Sequence, residues 1–509
     1  MIKDLPQRRR EVARLAGEPE ADICLIAEGC YPYVPGGVST WIDWLMRSMP
    51  QRRFAVVALL ASPSKTPPRY QFPDNLVGFS EIILSPPGAP RIAAERLGRI
   101  GSEMQKPLYT FLQEGGLEAL GDLSRTVQTL QEAGVDATRF VRSREAYEQV
   151  RAHYLSRMPE ASFIDFYWGW RSIVQSVIST IQAPIPRAKA YHAISTGYAG
   201  LFQARAHIET GRPTLVTEHG IYTNERRMEI TLATWIRQGL RRRMSVHNEF
   251  PDIDGLWEGT FEAISRTCYD ASDRITTLYG ANSQVQASDG AAPEKLAVIP
   301  NGVDVSGFGD IGRASPDQRP TIALIGRVAP IKDIKSYIKS VDLIRQAVPD
   351  ILALVIGPTE EDEDYFKECE ALVAKLGLSE HVRFTGMARI RDWLPSIHVL
   401  LLTSLSEAQP LTILEGGAAG IPFVTTNVGA CQEMLLGAAD EKPNLGPGGI
   451  LVGLVDPQAI ADGTIALLTD TQMRTRFGDN LRQRVNTYYR ADTVAAQYSA
   501  LYDAVLEAR

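Results

Sequence analysis

Apolar and polar positions along this 509-residue chain follow two recurring patterns: short unbroken apolar runs, and longer stretches with an apolar residue every three or four positions. An unbroken run bounded by turn formers suits a strand buried on both faces, as parallel sheets require. Such runs occur at Asp22–Glu28, Phe54–Leu60, Ala188–Ile194, Thr214–Thr217, Arg274–Leu278 and Leu296–Ile299. A second series follows at Thr321–Gly326, Leu352–Gly357, Val382–Thr385, Val399–Leu402 and Phe423–Thr426. Helical periodicity separates most of them, and strands alternating with helices predict doubly wound parallel sheets. Between the two series lies GFGDIGRASPDQRP, whose glycines, prolines and polar residues suit a linker. The expected division is a first α/β domain over 1–308 and a second over 309–485. From Pro63 to Pro159 no strand is expected; helical patterns near 90–160 predict an insertion in the first domain. Further helices are expected at Phe163–Gln182, Asp470–Tyr489 and Asp492–Leu506.

The stretch SEAQPLTILEGGAAGIP, from Ser404, carries the densest chemistry. It follows the run Val399–Leu402, and Pro410 suits the first position of a helix, which makes a strand, loop and helix unit. Ligands of open α/β sheets bind at the carboxyl ends of the strands, where a helix start also offers unpaired amides. Glu407 would sit at the mouth and Glu415 a little over one turn inside, spaced to hold hydroxyls of two parts of one ligand. The first strand of the second series runs into GRVAPIKDI, which brings Arg327 and Lys332 to the same edge. Two cations beside a helix start suit a diphosphate. Alternatively each cation pairs at the surface with an acid such as Asp333.

In the first series, Gly36 and Gly37 precede a helix starting near Ser39; they allow a ligand close to the backbone, or serve a plain tight turn. His219 directly follows the strand at Thr214 and could bond a substrate hydroxyl or carbonyl in a cleft, or be a structural histidine. Arg226, Arg227 and the run Arg241 to Arg243 could face phosphates, an acidic partner or a membrane surface; a solvated helix face is the preferred account of each run.

Lysine and arginine number 53 against 60 acids, a net charge of −7, which gives no reason to expect a nucleic-acid partner. Five scattered cysteines without CxxC spacing suggest neither a disulfide framework nor a zinc site. The N-terminal basic residues precede no apolar stretch, and no segment approaches the ~18 apolar residues of a membrane span. A cytoplasmic location is expected. No GxGxxG with a following acid marks a dinucleotide oxidoreductase. DEDYFK at Asp362 contains the letters of a DxD metal motif but opens an acidic helix, so no metal is expected to be required.

GGVS, EHG, PNGVD, GRVAPIKDI and SEAQPLTILEGGAAGIP with its E-x7-E spacing occur in one order along the chain. As a set they resemble the retaining glycosyltransferases of family 4. The resemblance implies α/β GT-B architecture: two facing Rossmann-like domains, with a C-terminal helix (486–509) packing back on the first. It also implies a nucleotide-sugar substrate, UDP-hexose or UDP-N-acetylhexosamine, and no cofactor. It assigns Arg327 and Lys332 to the donor diphosphate, Glu415 to the ribose, Glu407 to the donor sugar, and Leu411 and Thr412 to the same donor site. Gly36 and Gly37 approach the diphosphate or acceptor, and His219 the transferred sugar. The family's lysine is usually followed by glycine; here Asp333 stands there. EGCYPYVPGGVSTW, TEHGIYTNER and the helical insertion are similar to the branch of that family that extends an exopolysaccharide acceptor, with membrane-embedded synthase proteins as partners and a peripheral place at the inner membrane. Other readings are a phosphorylase or sucrose-synthase-like enzyme, and a non-catalytic nucleotide-sugar-binding subunit of a membrane synthase.

Overall fold

The computed structural model describes residues 20–34, 36–85, 97–157, 162–228, 253–308, 310–315 and 317–507. Arg241 to Arg243, and the N-terminal basic residues, lie outside them. The chain divides into two compact units. The first comprises residues up to Thr277, Asn282–Val298 and those from Ser499 on; the second comprises Leu278–Ala281 and Ile299–Tyr498.

The first unit holds a seven-stranded sheet. Its strands are β1 (Ala21–Glu28), β2 (Phe54–Leu60), β3 (Leu76–Ile83), β4 (Ala188–Ala193), β5 (Thr214–Glu218), β6 (Arg274–Thr277) and β7 (Leu296–Val298), in spatial order β3-β2-β1-β4-β5-β6-β7. Every pairing is parallel. Phe54 to Leu60 are all buried, as a central strand covered on both faces demands. β3 corrects the expectation of a strandless stretch after Pro63. LVGFSEII is an edge strand, mostly half-exposed and carrying Gly78, Ser80 and Glu81, so its apolar signal is diluted.

The helices between Arg99 and Arg157 do not form a core of their own. Phe111, Leu120, Leu123, Val127 and Phe140 join one cluster with Phe166 and Trp170, and with Cys24, Ile26 and Val57 of the sheet. Truncating a fully buried aromatic such as Trp170 in such a core typically costs about 3–5 kcal/mol.

The second unit holds a six-stranded sheet of β8 (Thr321–Ile325), β9 (Leu352–Ile356), β10 (Val382–Gly386), β11 (Val399–Leu402), β12 (Phe423–Thr426) and β13 (Gly449–Val452), in order β10-β9-β8-β11-β12-β13. All these pairs are parallel too. β13, at the edge, has only four residues after a Gly-Pro-Gly turn, too few for its pattern to stand out. The unit begins before the polar stretch expected to part the domains. Val303 pairs with Arg490, and Val303 and Ile311 are buried with Leu400 and Leu481. The last helix, Ala491–Glu507, contributes its end to the first unit, where Arg52 bonds Asp503 at 2.5 Å.

Candidate functional site

In the second sheet the strand order runs outward in both directions from the adjacent pair β8 and β11, so the crevice at their carboxyl ends is a topological switch point. The loops after these two strands are tied together. Thr403 Oγ1 donates to the carbonyls of Lys332 (2.8 Å) and Asp333 (3.1 Å), and the Leu405 amide donates to the Ile331 carbonyl at 2.8 Å. This brings Lys332 and Glu407 into direct contact: Lys332 Nζ donates to Glu407 Oε1, which also accepts from Ser404 Oγ at 2.6 Å. The pair is largely buried, with 20 % and 15 % of the side chains exposed. Arg327, on the same loop, bonds Glu361 in a pair that is about half exposed. The acid partners are therefore Glu407 and Glu361. Asp333 instead caps the helix Ile334–Ala347, accepting from the Ser336 amide at 3.2 Å.

Asp333 has φ 46° and ψ 52°, the left-handed conformation that glycine adopts freely and that Asp and Asn tolerate best among other residues. The position explains why either glycine or aspartate fits after the lysine. Pro410 is one place outside its expected position: it is the N-cap of the helix Leu411–Ala418, with extended ψ. Leu411 is exposed, Thr412 half-buried, and Glu415 half-buried. Burial pushes the Glu415 carboxyl up to about 6. Among the described residues no hydrogen bond or ion pair reaches that carboxylate. Gly416 lets this helix lie on the sheet; a Cβ there would come within 2.4 Å of Leu400 Cδ1.

Two supports were not apparent from the sequence. Gly429 has φ 51°, and a Cβ on it would meet the carbonyl oxygens of Glu407 and Ala408 at 2.1 and 2.3 Å, so it seats the loop that carries Glu407. The PNGVD turn proves to be part of the same construction, because the Asn301 amide donates to Gln409 Oε1 at 2.6 Å.

Gly36, Gly37 and His219 all belong to the first unit, at the carboxyl ends of β1 and β5. Gly36 is the N-cap of the helix Gly37–Ser48, and among the described residues a Cβ at either glycine would meet no atom from elsewhere in the chain within 4 Å. His219 lies edge-on to Trp41, ring centroids 4.8 Å apart at 79°. Its Nε2 is buried and has no hydrogen-bond partner among the described residues. Burial lowers its pKa to about 4, so the ring is neutral at neutral pH. Glu218, next to it, is fully satisfied: its oxygens accept from Tyr269 (2.6 Å), Gln286 (2.8 Å), Thr196 (3.0 Å) and the Tyr222 amide (3.3 Å). The first sheet also has a switch point, between β1 and β4, but a carboxylate of the chain occupies the helix start there. Glu28 accepts from the Ala199 amide at 3.2 Å and from Tyr222 Oη at 2.8 Å. Arg227 pairs with Glu262 at 2.6 Å, and Arg226 lies over the Tyr222 ring.

Residues 21–294, more than half of the chain, match the family described as a domain of unknown function, DUF3492. This chain belongs to the DUF3492 family. Behind its DUF3492 segment, residues 312–484 match the family Glycosyl transferases group 1. One curated relative is the MMP alpha-(1->4)-mannosyltransferase of Mycolicibacterium hassiacum, 28 % identical over 58 % of this chain and 66 % of its own length. Another is the lipopolysaccharide core biosynthesis mannosyltransferase LpsB of Rhizobium meliloti, 26 % identical over 36 % of this chain and 52 % of its own. The DUF3492 chain thus spans about half to two thirds of these relatives. Among solved structures, Anabaena Alr3699/HepE in complex with UDP has a similar fold, with 15 % identity, a TM-score of 0.57, and 95 % of this chain and 100 % of that one covered. DUF3492 and group 1 segments together build the two parallel-sheet, Rossmann-like domains of the GT-B glycosyltransferases. Among the described residues of this DUF3492 protein, no helix is long and apolar enough to cross a membrane, and no cluster of His, Cys, Asp and Glu could hold a metal.

Proposed function

We propose that this protein is a retaining glycosyltransferase that moves a sugar from a nucleotide donor, a UDP-hexose or UDP-N-acetylhexosamine, to a growing exopolysaccharide, in the manner of PelF of Pel polysaccharide synthesis. The observation that carries the reading is the Lys332–Glu407 contact at the switch point of the second sheet. The loop carrying Glu407 leads into a helix start whose half-buried Glu415 carboxylate has no partner among the described residues. The family resemblance and the group 1 match of residues 312–484 support it.

In this reading Arg327 and Lys332 bind the donor diphosphate, exchanging carboxylate partners for phosphate oxygens. Glu415 holds the ribose hydroxyls, Leu411 and Thr412 flank the nucleotide, and Glu407 turns to the donor sugar. Gly36 and Gly37 leave room for ligand against the backbone, and His219 Nε2 takes a hydroxyl of the transferred sugar. No carboxylate is assigned as nucleophile, in contrast to a retaining glycosidase. The bond from the anomeric carbon to the phosphate oxygen breaks on the face where the acceptor oxygen bonds, and the acceptor proton passes to the departing phosphate. Positioning and stabilisation of the departing charge supply the rate. The remaining site is the acceptor side, with membrane-embedded synthase proteins as partners at the inner membrane.

The test is a binding screen of UDP-, GDP- and ADP-sugars, including UDP-glucose, UDP-N-acetylglucosamine and GDP-mannose, followed by linkage analysis of the product. A purine donor bound far more tightly than any UDP-sugar would overturn the donor assignment and the PelF comparison. Mannosyl transfer has a specific claim to be in the screen, because the two relatives above are mannosyltransferases.

A further inference from the structure

His219 belongs to a run of aromatic rings, with Trp41, His192 and Tyr502, packed edge to face inside the first unit. Trp41, only 5 % exposed, stands on the helix Gly37–Ser48, one turn beyond the glycine pair. Its ring meets His219 at 4.8 Å and 79°, and His192 at 6.2 Å and 87°. The two imidazoles are held very differently. His192 is fully buried with both nitrogens engaged, Nδ1 with Tyr502 Oη and Nε2 with Thr217 Oγ1, each at 2.7 Å. Thr217 in turn meets Thr276 Oγ1 at 2.6 Å, and the Tyr502 ring lies edge-on to His192 at 5.7 Å. Among the described residues His219 has no such anchor on Nε2.

A ring with a free, buried nitrogen needs packing to fix its plane, because no hydrogen bond to that atom does so. Edge-to-face contact supplies this, since it has a preferred geometry that a merely apolar wall lacks. Trp41 also belongs to the helix whose start follows the glycine loop, and Ser39 Oγ ties that start to the Val34 carbonyl at 2.6 Å. One helix therefore follows directly on the glycine loop and carries the ring that packs on the histidine. We infer that Trp41 is a positioning residue that fixes the ring of His219 for substrate, braced from behind by His192 and Tyr502. The inference rests on the proposed role of His219 in sugar transfer. It goes beyond that role by naming what holds the imidazole in place.

The experiment compares the full chain with Trp41→Phe, Trp41→Ala and Tyr502→Phe variants. Turnover is read as UDP released from the UDP-sugar that the donor screen selects. The His219 ring is followed by NMR on 13C-histidine-labelled protein, assigned with a His219→Gln variant. The titratable neighbour of His219 is His192, whose pKa is lowered first by burial and then by the His219 charge. Trp41→Phe is expected to lower kcat about tenfold with KM for donor within about twofold, as displacement of a reacting group does. Its His219 titration moves up from about 4 toward the ordinary imidazole range as water reaches the ring. Tyr502→Phe gives the same changes at about threefold in kcat, and it carries the test with Trp41→Phe if Trp41→Ala does not fold. Unchanged kcat, or lowered kcat with unchanged His219 titration, overturns the inference, the second because Trp41 then acts by another route. Wild-type turnover in His219→Gln overturns instead the role of His219 itself, whatever the NMR of the Trp41 variants shows.

Discussion

The two units build similar sheets and treat the switch point in opposite ways. In the second, the loops at β8 and β11 present Arg327, Lys332 and Glu407 as ion pairs between residues that a charged ligand can separate. In the first, the corresponding crevice between β1 and β4 is closed from within. Glu28 takes the helix start, and Tyr222 and the backbone of Gly197 pack against it so tightly that a Cβ on Gly197 would come within 2.3 Å of the Tyr222 ring. What the first unit offers instead is neutral: two open glycines and an uncharged imidazole. The lesson is that the same topology yields an anion site only where its helix start and cations are left to the ligand. That asymmetry is why the proposed diphosphate site is in the second unit.

The sharpest way to break this contrast is to remove the charged pair. Lys332→Ala and Glu407→Ala should each lower transfer about 100-fold or more, as the loss of a group stabilising transition-state charge does. Glu28→Gln, the carboxylate of the closed crevice, should leave UDP-sugar affinity unchanged in an isothermal titration. Equal effects from Glu28 and Glu407 would erase the distinction.

A second test uses Glu415, whose carboxyl burial has raised to about 6. Below that pH it is protonated and a weaker acceptor for ribose hydroxyls. Affinity for UDP-glucose, whose diphosphate keeps its charge in this range, should therefore fall about tenfold between pH 7 and pH 5. Glu415→Gln should bind more weakly at pH 7 and show a flat profile.

The buried histidines predict a smaller effect on stability. The unfolded imidazoles ionise near 6.5, while folded His192 and His219 are held down to about 3 and about 4 by burial. Between pH 6.5 and 4 the unfolded chain binds the additional protons, so these residues withdraw stability as pH falls. Glu415, raised from 4.5, acts in the opposite direction between about 4.5 and 6. The clean measurement is therefore a difference: urea unfolding of His219→Gln should lose stability less steeply than wild type over that range.

The smallest effect concerns Asp333. Asp333→Gly relieves the left-handed backbone while losing the cap, and should change stability by less than about 0.5 kcal/mol. Asp333→Ala gains no such relief and should cost about 1–2 kcal/mol.

Much of the fold was legible because parallel strands announce themselves as unbroken apolar runs: VLLL at Val399 and FAVVALL at Phe54 have the ends that the pattern predicts. Edge strands have no such signal. β3 mixes Gly, Ser and Glu into its run, and β13 is four residues long. At the candidate site, the charged residues could be read from their place after strands, since an ion or hydroxyl ligand needs those side-chain types. Their partners could not. That Lys332 meets Glu407 and Arg327 meets Glu361 depends on which loops neighbour each other, and spatial strand order is not written in local pattern. Trp41 likewise reads as one more apolar helix position until its distance to His219 is known.

The bond between His192 and Tyr502 has a consequence for biosynthesis. Its partners are 310 residues apart, and Arg52 and Asp503 are 451 apart. At roughly 5–20 residues per second, a ribosome takes about 15–60 s to deliver Tyr502 after His192. The sheet of the first unit can pair long before then, but His192 must wait with Nδ1 unanswered until the last helix arrives. The first unit, begun first, is thus completed only after the last residue of the second, Tyr498, has been made.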